Sequence, residues 1–389
     1  MGKAKRKYCA ELTRFRRSLK SHLKAVLATM PEDFSEEMFL SAFKTLCAFR
    51  WEDIQVKAQA YRQKDRRLKK KGYRMRYFFP SPEEYLRKVA APIIKNRSLY
   101  ETLKLIPEKR EEAKVLLQQR CIAKLQERKR KLQENLKYVQ TVTPSYSNYY
   151  IQTYFQVRHT NPVDVDTRYA ILVEASKYKS QKTIEFLHKV NATERNFHLR
   201  NFAFLTLQRF GIQEVHLRAN RKGKAGYDLI PTPINTPDDL ICFIYNSQLE
   251  QMKNFDLFLS HSSLDSELLL DLKAILNHSD INIYVDWVND RDALKREFTN
   301  VNTAQAIIER LKSSKALLYV HTDACQNSRW TPWELGFFHA LKNKICVYNP
   351  NNIEIAPYLE IYPIAFIEDK KFFVRTGGET VELKEWIKK

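Results

Sequence analysis

From Phe255 to Glu334 the chain alternates between short continuous apolar runs and segments whose apolar residues recur at helical spacing. The runs are Phe255-Asp256-Leu257-Phe258-Leu259-Ser260, Ile281-Asn282-Ile283-Tyr284-Val285-Asp286 and Ala316-Leu317-Leu318-Tyr319-Val320. Runs of this length, rich in β-branched and aromatic residues, predict buried strands, while residues 264–277 and 303–312 predict amphipathic helices between them. The order β-α-β-α-β implies a parallel sheet with right-handed crossovers. Open sheets of this kind bind ligands outside the carboxyl ends of their strands. Each of the three runs ends on polar groups. The first passes into His261-Ser262-Ser263, the second stops at Asp286, and the third passes into His321-Thr322-Asp323. A pocket is expected at that end.

The pattern upstream is different. Residues 34–49 place Phe39, Leu40, Phe43, Leu46 and Cys47 on one face of a helix. After Pro107, Val115, Ile122, Leu125, Leu132 and Leu136 fall on heptad positions, but Gln118 and Lys129 interrupt the seam. A helix packing on its own domain is therefore expected rather than an intermolecular coiled coil. Tyr146, Tyr149, Tyr150, Tyr154 and Phe155 cluster next. Such rings can stack on bases, but aromatic residues in a core are the commoner case. Residues 166–210 read as a further helical unit ending at Phe210-Gly211, and the prolines at 231, 233 and 237 mark a linker over 231–239. The basic turn at 219–224 reads as a solvated loop rather than a phosphate site. The expected organisation is a basic helical region over 1–145, a helical or mixed region with linker over 146–240, and an α/β domain over 250–389.

Charge sharpens this division. The 389 residues carry a net charge of +21. Residues 1–150 hold 36 basic against 16 acidic side chains, residues 151–250 hold 13 against 10, and residues 251–389 hold 17 against 19. Nearly all the excess lies in the first region, densest over 62–76, and the α/β region is close to neutral. Lysine and arginine at this density supply sequence-independent affinity for phosphate, so nucleic acid is one candidate partner of residues 1–150. A protein trigger and a merely solvated surface are the others.

The motifs narrow the chemistry. With 8 glycines there is neither a Walker A nor a GxGxxG run, and no Gly-x-Ser-x-Gly elbow occurs. The six cysteines contain no CxxC pair, which argues against a zinc site and a disulfide framework and fits a reducing cytoplasm. His261 and His321 have no partner at metal-ligand spacing and read as turn residues. No signal peptide or membrane span is expected, because Met1-Gly2-Lys3-Ala4-Lys5-Arg6-Lys7 leads into no apolar core and no run of 18 apolar residues exists.

Three boxes in order carry a resemblance. They are Phe255-Asp256-Leu257-Phe258-Leu259-Ser260-His261-Ser262, then Ile283-Tyr284-Val285-Asp286 with the polar loop 287–300, and then Ser328-Arg329-Trp330-Thr331-Pro332-Trp333-Glu334-Leu335. Together they resemble the Toll/interleukin-1 receptor (TIR) domains that cleave NAD⁺, in wording closest to the bacterial ones. The last box is similar to the family's Ser-x-Trp-x-x-x-Glu-Leu signature. The resemblance covers Asn254 to Lys389 and implies a flavodoxin-like parallel-sheet TIR domain after a mainly helical, basic N-terminal region. It further implies Glu334 as the catalytic carboxylate, Trp330 as a ring beside nicotinamide, and Ser260, His261, Ser262, Ser263 and Asp286 as lining the side nearest ribose and phosphates. NAD⁺ would be a substrate, with no resident cofactor and no metal. TIR domains would associate with one another as the loop at 287–300 moves. The NAD-cleaving member of animal axon degeneration places arginines in the turn where Ser262-Ser263 stand here, which puts phosphate neutralisation by this turn in doubt.

The same residues also admit plainer readings. Thr331-Pro332-Trp333-Glu334 is a helix start in its own right, with Thr331 as N-cap, Pro332 at N1 and Glu334 closing a capping box. Asp286 could simply accept loop amides at a strand end. Three functions follow. One is a triggered effector that hydrolyses NAD⁺ to nicotinamide and linear or cyclic ADP-ribose in bacterial anti-phage defence. The others are a non-catalytic TIR scaffold and a nucleic-acid-binding sensor. Glu334 and Trp330 in register favour the first, since a scaffold needs neither.

Overall fold

A computed structural model describes residues 3–70, 72–143, 145–161, 164–212, 215–217, 229–247, 250, 253–290, 293–294 and 299–389, and the statements below concern these residues. The basic turn at 219–224, Lys71, and positions 291, 292 and 295–298 of the loop at 287–300 lie outside them. The chain divides into two compact units, one built on residues up to 134 and the other on 135–211 and 215–389. Among the described residues no helix is long and apolar enough to cross a membrane.

The first unit is helical, with α1 (Lys3–Ala28), α2 (Glu36–Leu46), α3 (Ala48–Lys70), α4 (Pro82–Ile94), α5 (Arg97–Leu103) and most of α6 (Pro107–Leu136). Side-chain oxygens set the starts: Ser35 accepts from the Met38 amide, and Ser81 and Glu84 form a capping box ahead of α4. Phe39, Leu40, Phe43 and Leu46 turn one face of α2 into a core shared with Leu19, Leu23, Leu27, Leu86 and Tyr100. Helix α6 does pack on its own unit, but through Leu117, Cys121 and Leu125 at spacings of four. Val115 and Ile122 of the expected heptad seam face solvent. A helix lying on a globular core presents a 3.6-residue stripe, which drifts away from a strict heptad.

The second unit is α/β. Its seven strands are β1 (Phe255–Ser260), β2 (Ile283–Tyr284), β3 (Ser314–Val320), β4 (Ile345–Tyr348), β5 (Ile364–Glu368), β6 (Lys371–Thr376) and β7 (Glu379–Glu382), in the order β2-β1-β3-β4-β5-β6-β7. The first five are parallel and give the flavodoxin-like order 2-1-3-4-5, with a topological switch between β1 and β3. An antiparallel hairpin extends the sheet through β6 and β7.

Alternation along the strands separates two layers. Leu257, Leu259, Leu318 and Val320 face the helix α12 (Ser266–His278), whose Leu269, Leu272 and Leu276 pack on them. Phe258, Leu317 and Tyr319 face α14 (Val301–Lys312) and, past the short α15 (Asp323–Gln326), α16 (Trp330–Leu341), packing with Leu311, Leu335 and Phe338.

The segment read as a separate helical region lies in this same unit. Its helices are α7 (Ser145–Thr160), α8 (Val165–Ser176), α9 (Gln181–Thr193) and α10 (Phe197–Arg209). The aromatic cluster is partly core: Tyr150 and Tyr154 are buried, and Tyr146 donates to Asp256 at the start of the sheet. Gln140 donates to the Ile283 carbonyl at 2.9 Å and accepts from Asn277 at 2.7 Å, so the chain just before α7 covers the edge strand β2.

The expected linker is shorter than 231–239. Thr236 and Asp239 form a capping box with Pro237 at the first helical position, and α11 (Pro237–Asn246) buries Leu240 and Ile244 against Ala306. The second strand is also shorter than expected. The Asn289 side chain accepts from the Val285 amide at 2.9 Å, and Asp286 opens the helical turn α13 (Asp286–Asn289) instead of ending the strand.

Candidate active site

Ser260 is the last residue of β1 and shares the face of Phe258, so its side chain enters the layer that holds α16. There its hydroxyl donates to Glu334 Oε2 at 2.7 Å. Both side chains are buried; Glu334 keeps 8% of its surface. Burial pushes the Glu334 carboxyl up to about 8. The Ser260 hydrogen bond works against that rise, and the Asp286 charge adds to it. A buried carboxyl held neutral at the carboxyl end of a parallel sheet, beside the switch point, has the properties of a catalytic group.

The capping-box reading of Glu334 is overturned. Helix α16 begins at Trp330, not Pro332, and its N-cap Arg329 makes no side-chain cap. Ser328 Oγ instead accepts from the amides of Trp330 and Thr331 at 3.3 and 3.4 Å. Thr331 Oγ1 is turned inward to the Cys325 carbonyl at 3.2 Å. Trp330 and Glu334 therefore stand one helical turn apart, as the signature spacing requires. Trp330 is half-buried and meets Trp333 edge to face, with ring centroids 5.5 Å apart.

The turn after β1 is held from several sides. His261 pairs Nδ1 with the Leu259 carbonyl at 2.8 Å, while Nε2 lies 3.1 Å from Trp287 Nε1. Indole N–H only donates, so Nε2 accepts, and the neutral ring carries its proton on Nδ1. Asp286 Oδ1 lies 3.5 Å from the same Nε2 and accepts from the Trp287 amide at 2.7 Å. Ser262 is buried and its hydroxyl accepts from the Leu264 amide at 3.4 Å, whereas Ser263 is exposed. Thr322 donates to Asp265 at 2.7 Å, tying the turn after β1 to the end of β3. His321 points elsewhere, with Nε2 against the Glu354 carbonyl at 2.9 Å. Among the described residues no three His, Cys, Asp or Glu side chains group as a metal site.

Ser260, Glu334, Trp330, His261 and Asp286 thus converge at one end of the sheet, and Ser262 and Ser263 border them. Trp287, which fixes the His261 tautomer, was missed in the sequence, although it directly follows Asp286. Also missed was a buried ionic cluster. Arg310 donates to Asp290 at 2.7 Å and to Glu250 at 2.6 Å, Lys253 joins Glu250 to Glu174, and Lys177 joins Glu174 to Asp290. Burial alone would raise the Asp290 carboxyl, but Arg310 and Lys177 hold it well below the usual carboxylate range. A cavity of about 510 Å³ beside this cluster is lined by Tyr245, Lys253, Arg310, Ser313, Lys315 and Lys342. It lies at the amino ends of β1 and β3, opposite to Glu334.

No protein-family model matches this chain. It is 31% identical over 365 residues to "Putative cyclic ADP-D-ribose synthase TIR2" of Cytobacillus dafuensis, covering 89% of this chain and 92% of that protein. Over 98 residues it is 37% identical to "Probable 3' cyclic ADP-D-ribose synthase ThsB'" of Bacillus cereus (strain MSX-D12), a match spanning 25% of this chain and 50% of that protein.

Proposed function

This chain belongs to the bacterial TIR-domain proteins of the NAD-cleaving type, and from that premise we propose that it breaks the nicotinamide–ribose bond of NAD⁺ and closes the remaining ADP-ribose on itself. The observation that carries this reading is the buried Glu334 carboxyl, hydrogen-bonded by Ser260 and one turn from Trp330. Cyclic rather than linear product is supported by the names of both relatives. A role in anti-phage defence rests on the resemblance to bacterial TIR effectors. A scaffold would gain nothing from a carboxyl held neutral by burial.

The chemistry follows from charge. Nicotinamide in NAD⁺ is cationic and leaves neutral with the electron pair of its bond, while positive charge builds on the ribose. Without substrate, Glu334 is neutral near pH 7 because burial disfavours its charged form. The substrate cation beside it favours ionisation, and the resulting carboxylate stabilises the ribosyl cation in a water-poor site. Ser260 holds the carboxylate in place, and the Trp330 ring stacks on nicotinamide. His261, Ser262, Ser263 and Asp286 border the ribose and phosphates. A nucleophile in the adenosine half then bonds to the ribose carbon, and where that nucleophile is a hydroxyl its proton passes to Glu334.

This account fixes a pH dependence. The reactive form is ionised Glu334, so kcat/KM rises with pH through about 8, the value of the free protein. The bound cation stabilises the carboxylate, so kcat rises through a lower pH. The check is initial-rate nicotinamide release across pH 6 to 9; a flat or falling kcat/KM contradicts the assignment.

We further propose that copies of the TIR unit associate and that the loop at 287–300 responds. Leu264, beside the site turn, and Val301, at the end of that loop, expose 76% and 84% of their surface. Specific activity is expected to rise steeply with protein concentration alongside the mass seen by light scattering. Constant activity from monomers over a wide range argues against association.

A further inference from the structure

Between α3 and α4 the chain crosses residues 72–80 without regular secondary structure, as a strap pinned by one buried side chain. Asp65 accepts from three successive backbone amides, those of Arg76 at 2.9 Å, Tyr77 at 3.1 Å and Phe78 at 2.8 Å. Two rings of the strap face inward. Tyr77 packs on Tyr8 and Tyr61, with centroids 5.3 and 5.1 Å apart, and Phe79 stacks on Tyr61 and Tyr85 at 5.6 and 4.8 Å.

The remaining large side chains face outward. Tyr73, Met75 and Phe78 expose 59%, 42% and 68% of their surface, and among the described residues neither Tyr73 nor Phe78 meets another ring. Phe78 also has φ of +46°, a left-handed backbone that disfavours a bulky side chain. Nothing in the core requires a ring there, and glycine or asparagine would suit the backbone better. Strain of this kind, held by surrounding structure, tends to sit at functional positions.

The charge around these rings is of one sign. From Arg66 to Pro80 the sequence contains no acidic residue. Arg66, Arg67, Lys69, Lys70, Arg74 and Arg76 are exposed, and none has a carboxylate partner among the described residues. Elsewhere on the same unit Lys44, Arg50, Lys104, Lys114, Arg128 and Arg130 are engaged by Glu or Asp, while exposed Arg16, Arg17, Lys20 and Lys88 have no carboxylate partner among the described residues; what sets the strap apart is exposed rings among its unpaired cations. Asp65, which lies beside the strap, is turned inward onto backbone amides.

We propose that this strap binds single-stranded nucleic acid, with bases stacked on Tyr73 and Phe78 and phosphates held by Arg74, Arg76 and the cations at the end of α3. Unpaired bases offer faces to exposed rings, whereas a duplex keeps its bases stacked on one another. Stacking on Tyr73 and Phe78 uses the π-face that every base has, so binding is tolerant of sequence. An acidic protein would satisfy the cations but leave the rings in water.

The test uses the full chain and fluorescence anisotropy with labelled oligo-dT, a duplex of equal length and poly-glutamate, from about 50 to 300 mM salt. Oligo-dT is expected to bind with a log–log salt slope of about −0.7 per phosphate neutralised, and Arg74→Gln with Arg76→Gln to make that slope shallower by about 1.4. Tyr73→Ala with Phe78→Asn, the latter suited to the left-handed backbone, should weaken oligo-dT binding by about tenfold or more with the slope unchanged. Tyr73→Phe should retain it. The proposal is overturned by absence of oligo-dT binding at low salt, by ring variants that bind as tightly as the parent, or by poly-glutamate or duplex binding as tightly as oligo-dT.

Discussion

Glu334→Gln is expected to lower nicotinamide release by about 10²- to 10³-fold or more, because the glutamine keeps the shape and the Ser260 hydrogen bond but cannot carry the charge that stabilises the ribosyl cation. The same variant should be folded and, above pH 7, at least as stable as the parent. The direction follows from proton linkage. The folded carboxyl holds its proton up to about pH 8, whereas the unfolded one releases it near its ordinary value of 4.5. The parent therefore loses stability as pH rises between those values, and glutamine, which does not titrate, escapes that loss. The difference in favour of the variant should reach the order of a few kcal/mol by pH 8. Thermal unfolding at pH 5 and pH 8 measures it. A folded variant with full activity removes Glu334 from the chemistry.

Arg310→Met should have the largest effect on stability. The guanidinium is buried and answers both Asp290 and Glu250, so its removal leaves three buried carboxylates, Asp290, Glu250 and Glu174, with only Lys177 and Lys253 to balance them. Breaking a buried pair in this way costs about 3–5 kcal/mol. Acid should narrow the deficit: without Arg310 the carboxylates take up protons at higher pH than in the parent, and protonation relieves the uncompensated charge. Urea unfolding at pH 7 and pH 4.5 reads both effects. Asp290 also closes α13 at the start of the loop at 287–300, so activity should fall further than the loss of folded protein accounts for. Unchanged stability at pH 7 would mean that the cluster is solvated in solution.

What was legible in the sequence and what was not divides by range. Strand β1 was readable to the residue, because a six-residue buried run allows one interpretation. Strand β2 was overextended by its apolar residues, because a side chain four positions on, Asn289, captures the Val285 amide and curls Asp286 into a helical turn. The Trp330 and Glu334 pair came from the resemblance to the family's signature, not from the local pattern, which reads equally as a helix cap. The start of the helix that carries them was not legible, since Thr331 followed by Pro332 is a plausible cap by composition and only its hydrogen bond to the Cys325 carbonyl turns Thr331 inward. The β6–β7 hairpin carried its own signal in Gly377-Gly378, both at positive φ, which suits a two-residue turn. The Arg310 cluster was unreadable, because its partners lie 20 and 60 positions away in the chain and no periodicity links them. The strap was equally hidden: composition locates the basic surplus before residue 150, but only the structure shows exposed rings at Tyr73 and Phe78 standing among unpaired cations.

The central claim is that one buried carboxyl drives cleavage of NAD⁺ and that the ribose carbon is captured from within the same molecule. Incubating the concentrated protein with NAD⁺ in ¹⁸O-labelled water and weighing the products by mass spectrometry tests both parts together. The account predicts free nicotinamide and a cyclic ADP-ribose lighter than ADP-ribose by one water and free of the label, with neither formed by Glu334→Gln. Linear ADP-ribose carrying the heavy oxygen as the main product, or nicotinamide released equally by the Glu334→Gln protein, would contradict it.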